Sequence, residues 1–329
     1  MSLSAIETAG LSKDYAVGFW RGHAKRVLHD LTLRVVPGEV FGLLGPNGAG
    51  KTTTLKILMR LIFPTAGTAR IFDRPLDDVA MHARIGFLPE NPYFYDHLTP
   101  FELLTYAGAL FGLCATERYH RADALLRRVG LAESRDIPLR KFSKGMVQRV
   151  GIAQALINDP QLVILDEPMA GLDPLGRREV RDLILGLREE GKTVLFSTHI
   201  LSDAESLCDR VAILDRGRLQ GCGELREILR MHTAATEVVV EHPSAGILEV
   251  IDMHSRSQIR TGDRVRIEVG EEASVPEVLN LLLQSKTRII SVNPVKMSLE
   301  DYFLSQVSDA EAKVIPHEHF HRTLGRKKN

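Results

Sequence analysis

Cysteine is scarce in this sequence: Cys114, Cys208 and Cys222 are the only three among 329 residues. Three widely spaced thiols, odd in number, exclude a disulfide framework and a zinc ribbon and fit a reducing compartment. Neither sign of charge is in excess, with 42 Lys+Arg against 42 Asp+Glu, so no bulk attraction to nucleic acid is expected. A long hydrophobic run is also missing. The longest uncharged apolar stretch, residues 103–116, contains Thr105, Tyr106 and two glycines. It falls short of the ~20 apolar residues needed to cross a bilayer. The opening MSLSAIETAGLSKDY has no basic start and no long apolar segment, which excludes a signal peptide. There is no internal repeat. A chain of this kind works at a membrane only by docking onto something else.

What is present is ordinary for a globular protein, with 44% hydrophobic and 26% charged residues. The length suggests about two domains. Residues 27–36 (VLHDLTLRVV) alternate well enough for a half-buried strand, and Pro37-Gly38 is a turn signal. Residues 40–44 (VFGLL), 162–165 (LVIL) and 194–196 (VLF) are short apolar runs of the buried-strand kind. Helical periodicity covers residues 53–61, 117–129 and 177–190, and Thr99-Pro100-Phe101-Glu102 is a capping box that opens another helix. Strands alternating with helices predict a mostly parallel core sheet covered on both faces, with a helical subdomain at about 95–160. The pattern changes near residue 235. Residues 236–241, 258–260, 264–269 and 287–292 read as strands and 275–284 as a helix, a small α+β unit. The polar end, HEHFHRTLGRKKN, reads as a flexible tail. Its His317, His319 and His321 are better explained as solvated groups than as metal ligands.

The chemistry is concentrated in a few segments. Gly45-Pro46-Asn47-Gly48-Ala49-Gly50-Lys51-Thr52 fits G-x-x-x-x-G-K-[ST], between an apolar strand and a helix that includes Thr53. The glycines let the backbone wrap phosphate oxygens, and the helix aims its positive end at them. Lys51 is expected on the β- and γ-phosphates and Thr52 on Mg²⁺. Chance produces this pattern in roughly one chain of this length in a hundred, and the flanking strand and helix lower that further. The strand QLVILDEP ends in adjacent carboxylates. Strand alternation would turn them apart, leaving Asp166 to hold Mg²⁺ and Glu167 to orient or deprotonate an attacking water. In KFSKGMVQR, residues 141–149, a serine and a glycine open a helix, which by itself reads equally well as a plain cap.

Together these segments resemble the nucleotide-binding subunit of an ATP-binding-cassette (ABC) transporter. GPNGAGKTT, FSKGMVQR, LVILDEP, AGLDP and FSTH occur in that family's order and approximate spacing over about residues 5–230. The resemblance implies a P-loop NTPase cassette in residues 1–232, with an antiparallel N-terminal β subdomain beside the core sheet. A small α+β accessory domain follows in 233–307 and a His/basic tail in 308–329. It implies ATP and Mg²⁺ as ligands and ATP hydrolysis as the activity. Ser143 and Gly145 would contact the γ-phosphate held by the opposite subunit, and Asp173 would link the two sites of a dimer. His199 would contact the γ-phosphate as the switch histidine, catalytic with Glu167 and Lys51. The signature reads FSKGM in place of LSGGQ, with Lys144 and Met146 at altered positions. In GFLPEN, Glu90 stands where the family usually has glutamine and is expected near Mg²⁺ or its water. Tyr15 is the first candidate to stack on adenine, with Phe19 and Trp20 as alternatives.

The implied partners are a second ATPase subunit, identical or related, and a separate integral membrane permease received near residues 103–116 and Glu90. The expected place is the cytoplasmic face of the membrane. MSLEDYFL, residues 297–304, resembles the end of cassettes that pair with export-type permeases. A soluble cassette ATPase acting on nucleic acid or ribosomes is the alternative. The interval between the phosphate loop and the signature carries no heptads, and there is one cassette where ribosome-acting members have two.

Overall fold

In the computed structural model, residues 4–17, 23–225, 227, 233–270 and 274–296 are described. Phe19, Trp20, the segment 297–304 and the His/basic tail lie outside them. The chain divides into two compact units, one through Leu225 and one from Arg226 onward.

The first unit opens with two long strands, β1 (Ile6–Val17) and β2 (His23–Val35), then β3 (Val40–Leu44) and helix α1 (Lys51–Leu58). Strands β4 (Ala66–Ile71) and β5 (Arg74–Pro75), the single turn α2 (Val79–His82) and β6 (Ile85–Leu88) follow. Next come α3 (Pro100–Leu110), α4 (Ala115–Arg128) and α5 (Lys144–Ala155), then β7 (Leu162–Asp166), α6 (Pro174–Glu189) and β8 (Thr193–Thr198). The unit closes with α7 (Leu201–Leu207), β9 (Arg210–Asp215) and β10 (Arg218–Glu224). Two sheets form. One is antiparallel, in the order β2-β1-β4-β5, and the other has the order β10-β9-β3-β8-β7-β6. All neighbours in the second sheet are parallel except the edge strand β10.

Burial explains why the apolar runs became central strands. Every residue of β3, β7 and β8 is buried, the pattern of a parallel sheet covered on both faces. Phe41 and Phe196 are wholly buried, and each such side chain contributes about 1.5–3 kcal/mol of transfer free energy. α6 is amphipathic, with Val180, Ile184 and Leu187 turned inward. The capping box of α3 forms: Thr99 Oγ1 accepts from the Glu102 amide and the Thr99 amide donates to Glu102 Oε2.

The second unit contains β11 (Thr233–Glu241), α8 (Ala245–Asp252), β12 (Ser257–Thr261), β13 (Arg264–Val269), α9 (Val275–Gln284) and β14 (Arg288–Lys296). Its antiparallel sheet has the order β12-β13-β11-β14. That connectivity is the ferredoxin-like β-α-β-β-α-β arrangement. Val238, Val240, Ile251, Val265, Ile267, Val269, Val278 and Leu282 form its core. The other sheet face carries cross-strand ion pairs, Arg266 with Glu237 at 3.0 Å and Arg288 with Glu241 at 3.0 Å.

Differences from the sequence reading are local. α1 begins at Lys51, inside the phosphate-loop motif, and ends at Leu58, where Arg60 adopts φ 54°. α8 and the strand pair β9–β10 had no distinct signal, because short apolar runs suit strand and helix alike.

The packing of β6 against α5 allows a direct test of this core. A Cβ added at Gly86 would lie 2.0 Å from the Ala155 carbonyl oxygen. Gly86→Ala is therefore expected to destabilise the first unit by about 3 kcal/mol, the upper end for overpacking. Thr99→Ala, which loses only a surface cap, is expected to cost about 1 kcal/mol. Urea unfolding midpoints of the two variants measure the difference.

Candidate functional site

The loop between β3 and α1 starts at Gly45, whose φ is 149°; a Cβ there would meet the Leu214 carbonyl oxygen at 2.1 Å. No other residue fits so close to β9. The loop is pinned at its far end by the Gly217 amide, which donates to the Ala49 carbonyl at 3.0 Å. α1 then begins with no side-chain cap and no acid in its first turn. Its amides are left to a ligand, and the positive end of the helix favours an anion. A cavity of about 300 Å³ opens here, lined by residues 47–53 together with Val27, Glu90 and Glu167.

Lys51 is 5% exposed. Its Nζ donates to the Gly45 carbonyl at 2.6 Å and the Pro46 carbonyl at 3.2 Å, and it lies 3.2 Å from Glu167 Oε1. Gly45 and Pro46 thus hold the lysine, while residues 47–53 face the cavity.

Across the cavity stand the ends of β7 and β8, paired in register at Asp166 and Ser197. Ser197 Oγ donates to Asp166 Oδ1 at 2.6 Å and accepts from the Glu167 amide at 2.8 Å. Thr52 Oγ1 donates to the same Asp166 oxygen at 3.2 Å. Glu167 lies beyond the strand at φ 49°. This left-handed turn, and not strand alternation as expected, sends the two carboxylates apart. Glu167 Oε2 is 2.9 Å from His199 Nδ1. One carboxylate, 7% exposed, therefore lies between a lysine and a histidine.

Oxygen donors suited to a divalent cation converge here: the Thr52 hydroxyl beside Asp166, with Glu90 on the cavity wall. No group of three His, Cys, Asp or Glu residues able to hold a metal occurs among the described residues. That donor set fits Mg²⁺, which keeps waters and takes one or two carboxylates plus substrate phosphates.

The remaining expected residues are placed elsewhere. Ser143 caps α5, accepting from the Met146 amide at 3.3 Å, and Gly145 lies in its first turn. Asp173 caps α6, accepting from the Gly176 amide at 2.8 Å. None of the three lines the cavity. Tyr15, 36% exposed on β1, is also outside its wall, with Lys13 Nζ 5.3 Å from its ring centre. Sequence reasoning assigned no role to Ser197. The available signal was only that Ser197 and Thr198 are the two hydroxyls that follow the apolar run 194–196; the pairing with Asp166 is set by the fold.

Comparison with known proteins places these features in context. A family model described as ABC transporter matches residues 28–170. A second, described as ATP-binding protein DrrA1-3-like, C-terminal domain, matches residues 223–307. An uncharacterized ABC transporter ATP-binding protein of Synechocystis sp. is 45% identical, over 93% of this chain and 85% of the relative. The Nod factor export ATP-binding protein I of Burkholderia lata is 33% identical, over 85% of this chain and 91% of its own length. Among solved structures, a dimeric post-hydrolysis state of an ATP-binding cassette bound to ADP and Pi is similar at TM-score 0.62 and 27% identity. The match covers 67% of this chain and 99% of that one.

Ser197→Ala would leave the buried Glu167 amide without its acceptor and remove a donor from Asp166. We expect a loss of about 3 kcal/mol in the ligand-free protein. Thr52→Ala, at a longer and partly exposed bond, should cost about 1 kcal/mol. Urea unfolding without added ligand compares them.

Proposed function

This chain belongs to the ABC transporter family as an ATP-binding subunit, and on that basis we propose how its own residues bind and hydrolyse ATP. ATP hydrolysis coupled to transport is the activity of the family. The observation that carries the residue assignment is the single cavity where residues 47–53, Lys51 and Glu167 meet.

The triphosphate enters at the α1 N-terminus, where the loop amides and Lys51 receive its β- and γ-phosphates. To do so Lys51 turns from Gly45, Pro46 and Glu167 toward phosphate, and Glu167 Oε1 is released. In the ligand-free chain that oxygen has the Lys51 ion pair and no hydrogen-bond partner besides it. Freed of the lysine, it can accept a proton from water as the water oxygen attacks the γ-phosphorus. The bond to the β-phosphate oxygen breaks, and ADP departs with the electron pair. His199, now beside Glu167, orients the carboxylate and reaches the γ-phosphate. Thr52 and Asp166, with Glu90 close by, would hold Mg²⁺, which would offset charge on the phosphates. Tyr15 would support the adenine.

Ser143, Gly145 and Asp173 lie away from this cavity, on the starts of α5 and α6. Their service to ATP held by a second subunit, identical or related, accounts for that separation. The dimeric cassette structure supports this reading. A second cavity of about 320 Å³ is lined by Pro89, the residue before Glu90, and by Tyr93, Tyr106 and Leu110. These three side chains are 96%, 54% and 71% exposed, an apolar groove suited to a helix of a membrane permease. No helix among the described residues is long and apolar enough to cross a membrane. Docked on such a permease, the subunit would sit peripherally on the cytoplasmic face. Export is the favoured direction, as in the relative named for Nod factor export.

Hydrolysis per subunit should rise with protein concentration, because one copy supplies only half of each site. Glu167→Gln should retain ATP binding, reduce turnover by about 10³-fold and accumulate a dimer. Lys51→Ala should lose nucleotide binding or turnover. Phosphate release across a dilution series, with sedimentation of the Gln variant, tests this. A specific activity independent of concentration would remove the shared-site reading. Co-purification in mild detergent with an integral membrane protein tests the permease; a soluble partner would count against it.

A further inference from the structure

One buried charge in the first unit has no role in the reaction as described. Asp203, on α7, is 3% exposed. Its amide donates to the Ile200 carbonyl at 3.2 Å, and its own carbonyl accepts from Ser206 Oγ at 2.9 Å. Its side-chain oxygen Oδ2 has no hydrogen-bond partner. Carboxylates are seldom buried without such a partner, since desolvation penalises the charged form. Burial accordingly pushes the Asp203 carboxyl above its ordinary range, while Arg177 and Arg181 draw it back and Glu167 adds to the rise.

The charges that act on it come from two parts of the chain. Arg177 and Arg181 lie on α6, one turn apart, and α6 packs against α7. Arg181 Nε is likewise buried without a partner. The Arg177 amide donates to the Asp173 carbonyl at 2.9 Å, so this arginine belongs to the turn that Asp173 caps. Glu167 and His199, beyond the ends of β7 and β8, are also within electrostatic reach of Asp203. His199 precedes α7 by one residue, Ile200. Asp203 is therefore acted on both by charges of the α6 turn that Asp173 caps and by the Glu167–His199 pair. The unsatisfied oxygen and the unsatisfied guanidinium nitrogen are groups that a small shift of α6 against α7 could bring together.

We propose that Asp203 is a positioning residue, acting through Arg177 and Arg181 to couple the first turns of α6 to the placement of His199 and Glu167. The inference rests on the reading of Glu167 and His199 given above. Asp203 touches neither ATP nor water. Its charge draws on Arg177 and Arg181 across the α6–α7 packing, so that movement at the Asp173 turn reaches His199. Neutralising it leaves two guanidinium charges uncompensated beside the site and should affect turnover more than ATP binding.

Steady-state ATPase assays on the full-length chain provide the test. D203N should lower kcat about tenfold, with KM for ATP within about twofold of wild type. D203E, which keeps the charge, should recover at least about half of the wild-type kcat. In an R181M background, D203N should cost less than about threefold, because coupled groups are not additive. Thermal melting of D203N should stay close to wild type. Wild-type kcat in D203N, equal losses in D203N and D203E, the full tenfold loss in the R181M background, or a large drop in melting temperature would each overturn the proposal. H199A and E167Q serve as controls. If neither impairs turnover, the site reading fails and takes this inference with it. If both impair turnover and D203N does not, only this inference fails.

Discussion

The hydroxyl of Ser197 ties the ends of β7 and β8 together. It is wholly buried between β7 and β8, donates to Asp166 and accepts from the Glu167 amide. One small group thereby fixes the Asp166 carboxylate and the backbone of the next residue. That backbone is strained: Glu167 stands at φ 49°, a region costly for a residue with a Cβ. The Ser197 bond and the ion pair with Lys51 offset that cost. The strain serves a purpose, because an extended residue there would continue the line of β7. The left-handed turn instead sets Glu167 toward the cavity and His199.

The ligand-free site is electrostatically closed on itself. Lys51 and Glu167 are both buried and 3.2 Å apart. A buried pair of this kind adds little net stability, because desolvation offsets the attraction. It does keep each charge from being left alone before ATP arrives. The same logic explains the uncapped start of α1. An aspartate or serine cap would stabilise the helix by about 1 kcal/mol and would occupy the amides that phosphate needs. α5 and α6, in contrast, carry their caps, Ser143 and Asp173. In a single copy those residues serve their own helices, which is the ordinary alternative that the sequence left open for Ser143. Only a second subunit would give them further work.

The departures from the commonest family pattern have a physical setting. Glu90 is exposed on the cavity wall, so its charge remains hydrated beside the glycine-rich loop. Lys144 extends over Gly171, near the start of α6. The altered signature therefore adds positive charge close to the turn that Asp173 caps.

Much of this protein was determined by local sequence. The phosphate loop is contiguous, and its glycines, lysine and threonine sit at fixed offsets because one turn and one helix start must embrace one group. The buried strands β3, β7 and β8 announced themselves as unbroken apolar runs, and α9 was legible to its ends. Tertiary structure alone decided the rest. Ser197 became a structural keystone only because parallel pairing set β8 beside β7 in one register, a match between residues 31 positions apart. The direction of Glu167 was set by a left-handed turn that no composition signals. Asp203 acquired its surroundings only when α7 packed against α6. Spacing along the chain can mark a residue's chemistry, but long-range packing decides which charges face each other and which remain unpaired.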